Sequence, residues 1–486
     1  MKENIISTPK NKNLLSLFAT TVRVVCVLII LLAIVGCGKN GTDGKDGKDG
    51  KDGKDGITPT ISISEDGYWV INGEKTDVKA EGKDGADGKD GADGKDGANA
   101  TVNDENPQGL QFFPNDDGNY IVSVGNAKYL SKIVIPETYN GGKVVGIDDK
   151  AFQSCKSLTE IVIPDSVTTI GERAFDSCSS LSSVVIPNSV TTIGISAFSH
   201  CNSLSSVVIG NSVTTIGNFA FVYCSNLNSI VIPDSVTTIG ERAFSSCGSL
   251  SSVVIGNNVT TIGYEAFRDC DSLTSIVIPD SVTTIGGFAF YSCDNLSSVV
   301  IGNSVTTIGY DAFYGCSNLT SIVIPDSVTT IGDYAFRDCD SLTSIVIPDS
   351  VTSIGDRAFY NCSNLTAVYI SDVAKWCTIS FVSSTSNPLY YAKNLYVNDV
   401  LATELVIPDS VTTIGNYAFQ NCFNLSSVLI GKSVTAIGYD AFYYCYSLKN
   451  VYYTGSETEW QAITIGSYSF YYTNPTIHYN YVPENN

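Results

Sequence analysis

Histidine is nearly missing from this chain: His200 and His478 are the two in 486 residues. Cys-x-x-Cys spacing is missing as well, so the usual zinc ligand sets are lacking and no metal or cofactor site is expected. Basic residues are scarce. Lys and Arg number 28 against 49 Asp and Glu, a formal charge of -21. Nucleic acid and anionic membrane surfaces need a basic patch, and both are excluded as partners on that ground. The apolar run Val24 to Val35 falls short of the ~20 residues of a spanning helix. Catalytic pairs are also wanting. Aspartate recurs mainly in a Pro-Asp-Ser turn, at Asp165, Asp234, Asp280 and Asp326, where it reads as turn chemistry. His200 sits in a variable slot before Cys201. No catalytic residue is assigned, and the chain is not read as an enzyme.

What is abundant is one phrase. Leu181 to Ser203 reads LSSVVIPNSVTTIGISAFSHCNS, and new copies begin at Leu204, Leu227, Leu250, Leu273, Leu296, Leu319, Leu342 and Leu365, a step of 23 residues. Repetition at this period marks a solenoid. The array overrides the several globular domains that the length would otherwise suggest. Within a copy, Leu181, Val184 and Ile186 fit a short strand with one face inward. Pro187, or Gly210 in the next copy, ends it. Val190 and Ile193 are further inward positions. Gly194 marks a tight corner or a close backbone approach. Phe198 places a ring in the core, and the short Ala-Phe-x-x-Cys stretch is expected to form a single helical turn. One coil buries too little to offset the ordering of its backbone, so stability has to come from stacking.

The pattern L-x-x-[IV]-[IV]-I-P-x-S-V-T-x-I-G-x-x-A-F-x-x-C, from Leu130 to Phe470, resembles the BspA-like leucine-rich repeat family. The resemblance implies a leucine-rich-repeat solenoid: one short strand plus a turn or single helical turn per coil, stacked in a parallel sheet, mostly β and coil. It also implies a bacterial surface protein that adheres to host matrix or cell-surface proteins, or to other bacteria. The family brings no shared catalytic or ligand residues to carry over.

The N-terminus reads as export. Lys2, Lys10, Lys12 and Arg23 precede the short apolar run, which has the length of a signal h-region. Ile34-Val35-Gly36-Cys37 resembles the bacterial lipobox, so residues 1–36 are read as a lipoprotein signal and Cys37 as the lipid attachment site. An ordinary signal peptide ending near a cysteine is the alternative. Gly38 is not the Asp that commonly retains lipoproteins at the inner membrane, so the resemblance places the chain at the outer membrane and cell surface. Gly-Lys-Asp triplets fill Gly41 to Gly56 and Gly82 to Gly97, within spacers at 37–56 and 82–100. Glycine at every third place is the collagen period, yet neither tract contains proline. A charged flexible spacer is the favoured reading over a triple helix that would self-associate. Between the spacers, 57–81 has apolar residues flanking Asp66-Gly67 and is read as a small β-hairpin. Residues 101–129 are assigned as an N-terminal cap, 130–370 and 405–470 as repeats, and 471–486 as a C-terminal cap.

Cysteine recurs once per coil from Cys155 to Cys362, and again at Cys422 and Cys445. Parallel side chains ~4.8 Å apart do not converge as a disulfide requires, so a buried column of free thiols is expected. At 371–404 the register breaks in an aromatic-rich insertion. There Trp376, Tyr390 and Tyr391 are candidate contact residues; a loop packing its own aromatics is the equal alternative. The strand-face columns of Ser, Val and Thr hardly vary. Variation, with charge and tyrosine, gathers beside Ala-Phe, and Tyr264, Tyr310 and Arg268 join the candidate surface. The favoured function is a surface-anchored adhesin making multivalent contacts with proteins or glycans. The alternative is a structural envelope coat without a specific ligand.

Overall fold

The structure is a computed structural model that describes residues 108–483, together with the backbone of three strands, Ile61–Ile63, Tyr68–Ile71 and Glu74–Lys79. Cys37, the signal segment and both Gly-Lys-Asp tracts lie outside the described residues. The chain divides into two units, and Val35–Asn103 forms the smaller. Its strands are antiparallel, with Ile61 opposite Ile71, and the third strand continues the hairpin on the far side of Tyr68–Ile71.

The larger unit is a parallel β-solenoid of about 16 stacked turns. Copies pair in register at the 23-residue step: Ser183, Val184 and Val185 lie opposite Ser206, Val207 and Val208. Period-two alternation sends Val184 inward and Val185 outward. A second strand, which the sequence reading did not foresee, follows in each coil. It is two residues long, too short for periodicity to register. Thr192–Ile193 pairs with Thr215–Ile216, and these short strands join into a 14-stranded sheet running from Ser380–Phe381 to Gln111–Pro114. At its N-terminal end the antiparallel pair Gln111–Pro114 and Tyr120–Ser123 closes the edge. Such closure protects an open ladder from pairing with another chain.

Between the sheets runs a single core. Phe152 to Phe359 form a continuous stack with successive ring centroids 5.0–5.5 Å apart. Beside it the cysteines are buried and free. From Cys178 to Cys362, and at Cys445, each thiol donates to a phenylalanine carbonyl of the preceding coil, as Cys201 Sγ does to Phe175 at 3.2 Å, so the buried S–H has a partner. Gly194 fits by close approach: a Cβ there would stand 2.6 Å from the Gly171 backbone.

The expected helical turn is absent from the regular coils. In its place the chain makes consecutive turns with left-handed backbone immediately before Ala-Phe and again two residues after Phe. Ser196 has φ 54° and His200 φ 55°. The left-handed residues interrupt helical geometry and send alternate N–H groups to the next coil. Ser196, Phe198 and His200 donate to the carbonyls of Asn218, Ala220 and Val222 at 2.8–2.9 Å. The third side of the coil is therefore also a hydrogen-bonded ladder.

Residues 371–404 build a coil of their own rather than a protruding loop. Val373–Cys377 is a short helix capped by Asp372, whose carboxylate accepts from the Ala374 and Lys375 amides at 2.7 and 3.2 Å. Ser380–Phe381 then pairs with Ser353–Ile354, and Leu395–Val397 pairs with Ala367–Ile370. Trp376, a candidate contact residue with internal packing as the equal alternative, is 1% exposed. The reason is an accounting of backbone acceptors. This coil has no Ala-Phe turn, so the Ala418 carbonyl in the next coil lacks the phenylalanine amide that serves its counterparts, as Phe198 serves Ala220. Trp376 Nε1 donates to Ala418 O at 2.7 Å, and buried Asn387 Nδ2 donates to Tyr417 O at 2.8 Å. The indole serves the fold and is unavailable to a partner.

Candidate binding surface

The two residues on either side of Ala-Phe occupy the outer face of the turn ladder. Their side chains stand in columns along the stack, the first of them on left-handed backbone, and there the coils differ from one another. Immediately before Ala-Phe the column reads Phe219, Arg242, Glu265, Phe288, Asp311, Tyr334, Arg357. Immediately after Phe it reads Arg268, Tyr291, Tyr314, Arg337, Tyr360. By contrast, the strand face presents exposed Val185, Val208, Val231 and Val254 between serines and threonines.

A network of arginine and aromatic rings crosses these columns. Glu265 is buried and accepts both Nε and Nη2 of Arg242, at 2.6 and 3.0 Å, with Arg268 Nη1 at 3.3 Å. Burial pushes its carboxyl up, but the bonds from Arg242 and Tyr264, with the charges of Arg242 and Arg268, together outweigh that and hold it below the usual carboxylate range. Tyr264 is pushed up to about 12, by burial first and by the neighbouring Glu265 second. Arg268 lies 4.8 Å over the Tyr291 ring, which stacks on Tyr314 at 4.7 Å. Arg337 lies over Tyr314, Tyr334 and Tyr360 at 5.2, 5.5 and 5.3 Å. Arg268 and Tyr264 are thus partly engaged by their neighbours, while Tyr310 stands 48% exposed.

Tyr390 is exposed and Tyr391 half-buried, and they meet edge to face at 5.1 Å. Both sit one step beyond Tyr360, so they extend the column that Trp376 does not join. Toward the C-terminus a second aromatic group gathers, in which Tyr444 stacks on Tyr472 at 4.9 Å and touches Tyr443 at 4.1 Å. Sequence reasoning placed tyrosines 471 and 472 in a cap and passed over Tyr443, Tyr444 and Tyr446. The places of Tyr443 and Tyr444 directly after Ala441-Phe442, equivalent to Arg268 and Asp269 after Ala266-Phe267, were the available signal.

His200 is exposed, hydrogen-bonded through Nδ1 to Ser199 Oγ at 2.7 Å and stacked on Tyr223. Among the described residues no group of His, Cys, Asp and Glu is arranged to hold a metal ion, and no helix is long and apolar enough to cross a membrane.

Residues 145–274, 260–387 and 392–485 match the model of the BspA type leucine rich repeat region. A solved leucine-rich repeat protein from Bacteroides ovatus ATCC 8483 is similar at 29% identity and TM-score 0.53, over 76% of this chain and 98% of that one. A leucine rich cell surface protein from Faecalibacterium prausnitzii A2-165 matches at 30% identity, over 73% and 96% of the two chains, with a TM-score of 0.41. A leucine rich repeat protein of T. pallidum matches at 32% identity over 43% of this chain and 88% of its own, with a TM-score of 0.34. No curated protein matches the chain.

Proposed function

The chain belongs to the BspA type leucine-rich repeat family, and from that premise we propose that it is a binding protein of the bacterial surface. Its repeats would act as an adhesin, contacting host matrix or cell-surface proteins, glycans or other bacteria at many weak sites. The observation that carries this reading is the contrast between faces. Packing fixes the inward columns and the strand face scarcely varies, yet the turn face changes from coil to coil and collects Arg and Tyr, the residues enriched at binding hot spots. Linked weak contacts multiply into avidity when geometry lets them engage together.

A lipid on Cys37, in the lipobox-like Ile34-Val35-Gly36-Cys37, would hold the protein at the outer membrane. Cys37→Ala should release it from membrane fractions and abolish palmitate labelling; a variant still labelled and membrane-bound contradicts the anchor. The uniform Ser, Val and Thr columns favour a second reading, an envelope coat with no specific ligand. Binding of the purified chain to immobilised matrix proteins, glycans and cells separates the two. The adhesin reading expects saturable binding to at least one, and the coat reading expects none.

A further inference from the structure

The coil between Leu365 and Leu395 interrupts the turn-face columns, and a cleft of about 420 Å³ opens where they stop. On one wall stand Arg337, Arg357, Asp356 and Tyr360; on the other, Ser383, Ser384 and Thr385. The second wall comes from Ser384–Ser386, a 3-10 turn in the place of an Ala-Phe turn.

The polar groups of the cleft are held in place by their neighbours. Arg337 is fixed over three tyrosine rings. Arg357 Nη1 donates to Tyr334 Oη at 3.0 Å, which leaves most of its five N–H donors free. Asp356 Oδ1 accepts from Ser383 Oγ at 2.6 Å, and Ser383 Oγ lies 3.0 Å from Thr385 Oγ1. The Ser383 amide is fixed by Ser386 Oγ at 3.0 Å. Donors, acceptors and an aromatic ring thus converge on one space without a ligand having to order them.

Charge decides between classes of ligand. Against the two guanidinium groups stand Asp356, Asp338 at 3.3 Å from Arg337 Nε, and Asp333, which accepts the Asp356 amide at 2.7 Å. No positive excess remains for a carboxylate or sulfate, and the whole chain at -21 repels anions. A ligand for this wall is uncharged, both donates and accepts hydrogen bonds, and presents an apolar C–H face to Tyr360. Those are the properties of a sugar ring. The volume lies near the small end of the ~300–1,000 Å³ range of ligand clefts, which suits one or two rings.

We infer that the cleft of Arg337, Asp356, Arg357, Tyr360 and Ser383–Thr385 binds a neutral saccharide, one or two pyranose rings of a glycan. This names a ligand class for one part of the surface proposed above and rests on that reading.

Saturation-transfer NMR on the full chain tests it, with methyl glucoside, methyl galactoside, methyl mannoside and N-acetylglucosamine as neutral probes and N-acetylneuraminic acid as the acidic one. Transfer to at least one neutral sugar is expected. Its affinity should fall tenfold or more in Asp356→Asn/Arg357→Gln and in the milder Thr385→Val, each with an unchanged melting curve, and should persist in Tyr472→Ala at the C-terminal tyrosine group. The inference is overturned by transfer to no neutral sugar, by transfer to the acidic sugar alone, or by neutral transfer that survives both cleft variants. Cell and matrix binding by the same preparations is read separately. Cells bound without any sugar signal defeat the cleft and leave the adhesin; a sugar signal without cell or matrix binding defeats the adhesin and leaves the cleft.

Discussion

Left-handed backbone recurs in these coils at residues that seldom adopt it: Arg242, Glu265, Phe288 and Tyr334 all have φ of 53–55°. Glycine would take that conformation at lower cost. The conformation is imposed by the ladder to the next coil, which is why side chains at these places did not reveal it in the sequence. Asp311 shares the conformation, and burial pushes its carboxyl up to about 6, with Arg337 opposing the rise. An acid whose folded pKa exceeds its unfolded ~3.9 contributes most stability below that value. The contribution is lost as pH rises through about 6. Asp311→Asn should therefore stabilise the fold at pH 7.5, by at most ~1–2 kcal/mol because the site is partly exposed, and the melting temperature should rise with it. At pH 3.5 the advantage should shrink to the preference of Asn for left-handed backbone. An equal margin at both pH values would show that the carboxyl carries no such shift.

The inward columns behave as shared elements, since each ring or thiol packs against its counterparts in adjacent coils. Phe267 lies 5.4 Å from Phe244 and 5.5 Å from Phe290. Phe267→Ala should cost ~3–5 kcal/mol. Hydrogen exchange should accelerate in that coil and its neighbours while distant coils stay protected; unchanged exchange and melting contradict the stack. Burial also pushes up the column thiols from Cys201 to Cys362, Cys247 to about 12, so these are unreactive in the folded chain. Alkylation in denaturant without reductant should find the cysteines from Cys155 to Cys362 free, and mostly bridged cysteines would contradict the column. These columns were legible in the sequence, because a side chain buried in every coil has to recur at the repeat step. Two features were not. Thr192–Ile193 is too short to show alternation, and the indole of Trp376 answers the Ala418 carbonyl, a need visible only once the coils are stacked.

At the scale of the whole molecule, one face is nearly invariant and another varies from coil to coil. The fold accounts for the first by in-register pairing, and binding is the account offered for the second. The same contrast was readable from the sequence as variation beside Ala-Phe. The concave step against Ser383–Thr385 was not, because it depends on how an irregular coil follows a regular one. The most direct test compares two variants of the full chain for adhesion to immobilised matrix proteins, glycans and cells. One carries Tyr223→Ser, Arg268→Ser and Tyr310→Ser on the turn face. The other carries Val185→Thr, Val208→Thr and Val231→Thr on the strand face. With melting curves preserved, the account predicts at least a tenfold loss of avidity for the first and wild-type adhesion for the second. Equal adhesion by both, or loss in the strand-face variant alone, would contradict it.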